Sequence, residues 1–150
     1  MELFERRLKI SRARGDRRSE GHMLGNLGAA YRRLRQFDRV REYIECDLAL
    51  AREIGDRLGE GQAMGNLAIL ERNLGKARRA IELFEERVRL ARELGDRRGE
   101  AITLFNASLA CRDLGEMESA RSNARAAWRI FHAIGDANAD AVQRLLREWG

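Results

Sequence analysis

The chain has 150 residues, 29 of them Lys or Arg against 24 Asp or Glu, for a net charge of +5 and a pI near 10.0. Acidic residues interleave with the basic ones, as in Glu5/Lys9 and Glu85/Arg89; such i,i+4 pairs read as solvated helix face rather than as a nucleic-acid-binding patch. No apolar run approaches the roughly 18 residues of a membrane span, the charged N-terminus is no secretory signal, and Cys46 and Cys111 form no disulfide framework, so the reading is a soluble, cytoplasmic protein.

Residues 2–14 open the chain as a helix. Glu2-Leu3-Phe4-Glu5 aligns with Glu82-Leu83-Phe84-Glu85. Over residues 17–34, Met23, Leu24, Leu27, Ala30, Tyr31 and Leu34 recur at steps of three and four, the spacing of an amphipathic helix. Over residues 38–54, Val40, Tyr43, Ile44, Leu48 and Ala51 form a second apolar stripe. Gly55 then suits the left-handed position after a helix end, and Asp56 suits the N-cap of the next helix, where its carboxylate accepts from free backbone N–H groups. The same pattern repeats through residues 55–94 and 95–134, and residues 137–149 close the chain as a last helix. There is no proline and no alternating strand-like run, so the fold class is all-α, with about eight helices.

The Gly-Asp pairs at Gly15-Asp16, Gly55-Asp56, Gly95-Asp96 and Gly135-Asp136 recur every 40 residues. Residues 15–54 and 55–94 are identical at 17 of 40 positions, which makes them copies of one unit rather than two chance helix pairs. A period of this size marks a stack of like units. The expected organisation is a single array: a half repeat at 1–14, full repeats at 15–54, 55–94 and 95–134, and a capping helix at 135–150.

The run Asn26-Leu27-Gly28-Ala29-Ala30-Tyr31, then Leu34 and Phe37, then Ala49-Leu50-Ala51-Arg52-Glu53-Ile54-Gly55-Asp56, resembles the tetratricopeptide repeat. Gly28, Ala68 and Ser108 form the small column where paired helices press together, and Leu74-Gly75 and Leu114-Gly115 match the family's inter-helix turn. The long period is similar to that of the Pins/LGN-type polarity adaptors and of repeat arrays in large bacterial regulators. This chain departs from the pattern where Arg35 replaces a turn glycine, where Glu71 and Cys111 replace Tyr31, and where Ala124 stands in place of Ile44 and Phe84. The resemblance implies a right-handed α-solenoid whose first helices line a concave face and whose second helices form the convex one. It implies a protein-binding module or scaffold rather than an enzyme.

Chemistry-bearing patterns are absent. His22 and His132 are the only histidines, and no His/Cys cluster has metal-ligand spacing. Gly75-Lys76 lacks the upstream glycine of a phosphate loop, and Gly59-Glu60-Gly61 followed by Gly65 misses the dinucleotide spacing. Neither cofactor nor metal is expected.

The groove residues expected from the resemblance lie on the first helix of each unit, opposite the Leu27/Tyr31 stripe: His22, Asn26, Arg32 and Arg33; then Gln62, Asn66, Ile69, Arg72 and Asn73; then Phe105, Asn106, Leu109 and Arg112. Asn26, Asn66 and Asn106 place an amide, both donor and acceptor, at one register, suited to the backbone of an extended peptide. Arg32, Arg72 and Arg112 add a row suited to carboxylates. Two structural readings compete: the asparagines as repeat-stacking hydrogen bonds, and the arginines as partners of nearby carboxylates. The expected ligand is an extended or helical acidic peptide with an apolar anchor near Phe105 and Leu146. Self-association is the alternative, a homodimer through the apolar side (Leu3, Phe4, Leu8, Ile10) of the opening helix.

Overall fold

The computed structural model describes residues 2–17, 19–21, 23–24 and 35–150. Seven helices have defined bounds among them: α1 (Glu2–Ala13), α2 (Phe37–Ile54), α3 (Arg57–Asn73), α4 (Ala77–Glu93), α5 (Arg97–Asp113), α6 (Met117–Ala133) and α7 (Asn138–Glu148). Among the described residues there is no strand. The helix expected over 17–34 falls mostly outside them. The chain divides into two compact units, Met1–Leu67 and Ala68–Gly150. In the first, Leu8, Leu24, Val40, Ile44, Leu48, Met64 and Leu67 are buried. In the second, α5 packs against α4 and α6, and α6 against α7. There Val88, Leu104, Ile130, Phe131 and Val142 close over the alanines Ala101, Ala124, Ala127 and Ala139, small residues that let neighbouring helices approach.

The Gly-Asp pairs act as the sequence predicts. Gly15, Gly55, Gly95 and Gly135 sit at φ of +66°, +70°, +66° and +69°, a region that costs an L-residue about 1–2 kcal/mol. Their left-handed turn lets the Asp56 N–H reach the Ala51 carbonyl at 2.9 Å and the Gly55 N–H reach Arg52 at 3.3 Å, so two of the four orphan carbonyls of the ending helix are satisfied. The aspartate side chain then starts the next helix: Oδ1 of Asp56 accepts from the Gly59 N–H at 2.9 Å, and that of Asp96 from Gly99 at 2.8 Å. The Ser19 N–H donates to Asp16 Oδ1 in the same way, at 3.1 Å. Within the repeats the bend is left-handed too, at Gly75 (+79°), Gly115 (+76°) and, without glycine, Arg35 (+56°).

A second device locks three of the boundaries. Glu20 accepts from Arg12 at 2.7 Å and Arg17 at 3.0 Å; Glu60 from Arg52 at 3.0 Å and Arg57 at 2.7 Å; Glu100 from Arg92 at 2.7 Å and Arg97 at 3.0 Å. In each case one arginine ends a helix, and the other stands in the first turn of the helix carrying the glutamate. All three carboxylates are buried. Burial alone pushes the Glu20 and Glu60 carboxyls up; the hydrogen bonds and charge of the two guanidinium groups outweigh it, and both end below the usual 4.5.

Candidate functional site

On α3 and α5 the expected site residues occupy the face left over by packing. Ala101, Leu104, Ala107, Ser108 and Cys111 turn one side of α5 into the core. Phe105, Asn106 and Leu109 on the other side are half-buried, and Arg112 is exposed. On α3, Ala63, Met64 and Leu67 are buried while Gln62, Asn66 and Asn73 are exposed and Ile69 and Arg72 half-buried. This is the 3.6-residue period expressed twice. His22, Asn26, Arg32 and Arg33 lie outside the described residues.

In the second unit the charges are joined. Arg72, at the end of α3, donates from Nε to Asp113 Oδ2 at 2.6 Å and from Nη2 to Oδ1 at 3.5 Å. Arg112 Nη2 lies 3.5 Å from the same Oδ1. Arg72 is therefore paired inside the chain, and two guanidinium groups share one carboxylate. Burial raises the Asp113 carboxyl, but its bonds to Arg72 and the charges of both arginines bring it below its ordinary range. The Arg112 guanidinium also stands 5.9 Å above the Trp149 ring, within cation–π range.

Beside this row lies an apolar strip. Ile102, Phe105, Leu146 and Trp149 are partly buried against the core of the second unit. Trp149 is fixed from behind, its carbonyl accepting from Arg121 Nε at 3.1 Å and Nη2 at 2.9 Å. The asparagines differ from the arginines. Neither Asn66 nor Asn106 has a side-chain hydrogen bond among the described residues, so the stacking bond considered for that column is not seen there. What the sequence reading missed is the partner of Arg72. Its signal was Asp113, the one acid in a column that otherwise holds Arg33 and Asn73.

Among the described residues no group of three or more His, Cys, Asp or Glu could hold a metal ion, and no helix is long and apolar enough to cross a membrane. Cys46 and Cys111 are both free thiols. Burial raises the Cys111 thiol, with the Glu116 charge adding to it, which makes it a poor nucleophile.

Helical hairpins that recur every 40 residues and are joined by one turn chemistry define a helical-repeat protein. The chain belongs to the tetratricopeptide repeat family, whose model matches residues 19–93 and again 62–132. Repeats of this family are generally protein–protein interaction modules and typically non-enzymatic scaffolds. Two solved structures share the fold. The apo form of RapI has a TM-score of 0.83 and 16% identity over 89% of this chain and 38% of that one. BtubC from P. vanneervenii has a TM-score of 0.82 and 22% identity over 89% of this chain and 56% of that one. The chain thus spans well under two thirds of either structure's length. No curated protein matches the sequence.

Proposed function

We propose that the chain binds an extended or helical acidic peptide segment on the face formed by its first-type helices, as the docking arm of a larger regulatory or scaffold protein. The observation that carries the reading is the half-buried Asn106 amide, which has no hydrogen-bond partner among the described residues. The same helix carries Ile102 and Phe105 of the apolar strip and Arg112, which shares the Asp113 carboxylate with Arg72. A primary amide both donates and accepts and so suits a peptide backbone. The row's surplus positive charge favours an acidic residue, and Phe105 and Trp149 favour an apolar anchor. Two free cysteines suit a reducing compartment such as the cytoplasm. Self-association through α1 has less support: Ile10 is exposed, but Leu8 is already buried within the chain.

The test is an array of acidic peptides, each with one aromatic anchor, probed with wild type, Asn106→Ala and Arg72→Glu. Asn106→Ala should weaken the hits about tenfold, near the 1.4 kcal/mol of one or two lost hydrogen bonds. Arg72→Glu sets a second carboxylate beside Asp113 and should abolish them. Hits that survive both substitutions would move the site elsewhere, and a dimer by light scattering that dissociates on Ile10→Asp would favour self-association.

A further inference from the structure

The second-type helices of the second unit are not copies of each other. At four matching repeat positions α4 carries Arg79, Glu82, Leu83 and Phe84, whereas α6 carries Ser119, Ser122, Asn123 and Ala124. Each replacement removes side-chain volume: Ala124 lies in the core, while Ser119, Ser122 and Asn123 face the space beside it. Two cavities open there. One, of about 480 Å³, is lined by Arg78, Cys111, Glu118, Ser119 and Ser122 among others. The next, of about 270 Å³, is lined by Phe84, Val88, Arg89, Leu104 and Ala107 among others. Ile81, Glu85 and Asn123 line both, so the two form one cleft between α4 and α6, floored by α5.

The chemistry of the cleft is graded. At the α5 end of the small-residue stretch, Arg78 is already held by Glu116 at 2.6 Å. Glu85 and Glu118, both exposed, have no cationic partner within ion-pair distance among the described residues. That end carries surplus negative charge. The other end is apolar underneath, with Arg89 on its rim. Between them the Asn123 amide donates only to the Cys111 thiol, at 3.7 Å, a weak acceptor, and its oxygen has no donor among the described residues.

We propose that this cleft is a second docking site, separate from the first-helix face. It takes a partner protein segment that sets one apolar side chain over Phe84 and Val88 and a lysine or arginine against Glu85 and Glu118. The Asn123 oxygen accepts from the backbone of that segment. Arg89 at the far end fixes the direction, because the segment's cation is excluded there and drawn to Glu118. The preference is opposite in charge to that of the first-helix face, so one array could hold two unlike partners.

The test uses three amphipathic peptides of about 16 residues, some four helical turns, with leucine on one face and lysine, glutamine or glutamate on the other, measured by fluorescence anisotropy. Wild type should bind the leucine/lysine peptide at least about tenfold more tightly than the leucine/glutamine one, a difference of about 1.4 kcal/mol. The variant Ser119→Arg/Ser122→Glu/Asn123→Leu gives α6 the residues α4 already carries at those places. It should lose that binding while keeping its melting temperature. Should the triple variant fail to fold, Glu85→Lys/Glu118→Lys, at exposed positions, should reverse the preference between the lysine and glutamate peptides. The folded triple variant should keep its acidic-peptide hits, which separates this site from the acidic-peptide face. Equal affinity for the lysine and glutamine peptides would overturn the proposal, as would undiminished binding by a folded triple variant or an unaltered preference in the charge-reversed one.

Discussion

The boundary at Gly95-Asp96 and the one at Gly135-Asp136 share a turn and differ in the charged side chains around it. Both glycines are left-handed, at +66° and +69°, and both aspartate N–H groups reach back 2.9 Å to the preceding helix, to Ala91 and Phe131. Beyond the first boundary Glu100 is only 4% exposed, between Arg92 and Arg97. Beyond the second the same places hold His132, Ala137 and an exposed Asp140 that makes no ion pair among the described residues. Asp136 instead draws Arg98 at 2.8 Å. The turn sets where the next helix starts; the arginine clamp is a separate device that seals its first turn against the previous helix. The two can therefore be removed one at a time.

The largest effect is expected from emptying the clamp. Arg92 and Arg97 are more than half exposed, so their attraction to Glu100 is worth little as surface pairing. The cost lies in the glutamate left buried without compensation, about 3 kcal/mol. Arg92→Ala/Arg97→Ala should lower stability by about that much in denaturant titration, against less than about 0.5 kcal/mol for Asp140→Ala at the open boundary. Equal effects at the two places would mean the clamp does not seal the boundary. Protonation attacks the same device. The Glu20 and Glu60 carboxyls lie below 4.5 in the folded chain, so their contribution is complete above that value and is lost as pH falls through the depressed values. Acid titration followed by circular dichroism should show stability declining below about pH 4.5, and the decline should be shallower in Glu60→Gln.

These boundaries also show what the sequence could carry. The turn was legible, because left-handed glycine and a capping aspartate are local requirements that each residue meets by itself. The clamp glutamates also stand in one column of the repeat, as Glu20, Glu60 and Glu100. Their arginine partners recur just as strictly, as Arg12, Arg52 and Arg92 and as Arg17, Arg57 and Arg97, yet on a helix wheel they read as solvated charge. They meet the glutamate only because the hairpin turn brings the end of one helix over the start of the next. The same limit applies to the candidate site. The accessible face of α5 follows from periodicity, whereas the Arg72–Asp113 pair joins two helices 41 positions apart, and the α4/α6 cleft depends on side chains that are missing. Glu85, expected to pair with Arg89 four residues on, instead lines the cleft.

A smaller effect should come from the turn itself. Gly95→Ala keeps the clamp and forces a Cβ into left-handed backbone, in open space where nothing else is touched. The cost should be about 1–2 kcal/mol, read as a shift in denaturant midpoint with unchanged slope. A loss as large as that of the double arginine variant would mean that turn and clamp are one cooperative device, and the comparison above would fail.

The smallest effect is a gain. Arg35 holds at +56° the bend that Gly75 and Gly115 make at +79° and +76°. The Arg35 side chain is exposed and makes no hydrogen bond or ion pair among the described residues, so its replacement removes strain without removing a contact. Glycine returns part of that relief, because the unfolded chain gains freedom. Arg35→Gly should therefore stabilise by about 0.5–1 kcal/mol, a rise of about 2 °C in melting temperature for a domain of this size. This turn has no aspartate cap and no arginine clamp, so it isolates the backbone term that Gly95→Ala probes in the opposite direction. The two shifts should differ in sign and be of the same order; a fall in melting temperature on Arg35→Gly would mean that left-handed strain is not the quantity these turns respond to.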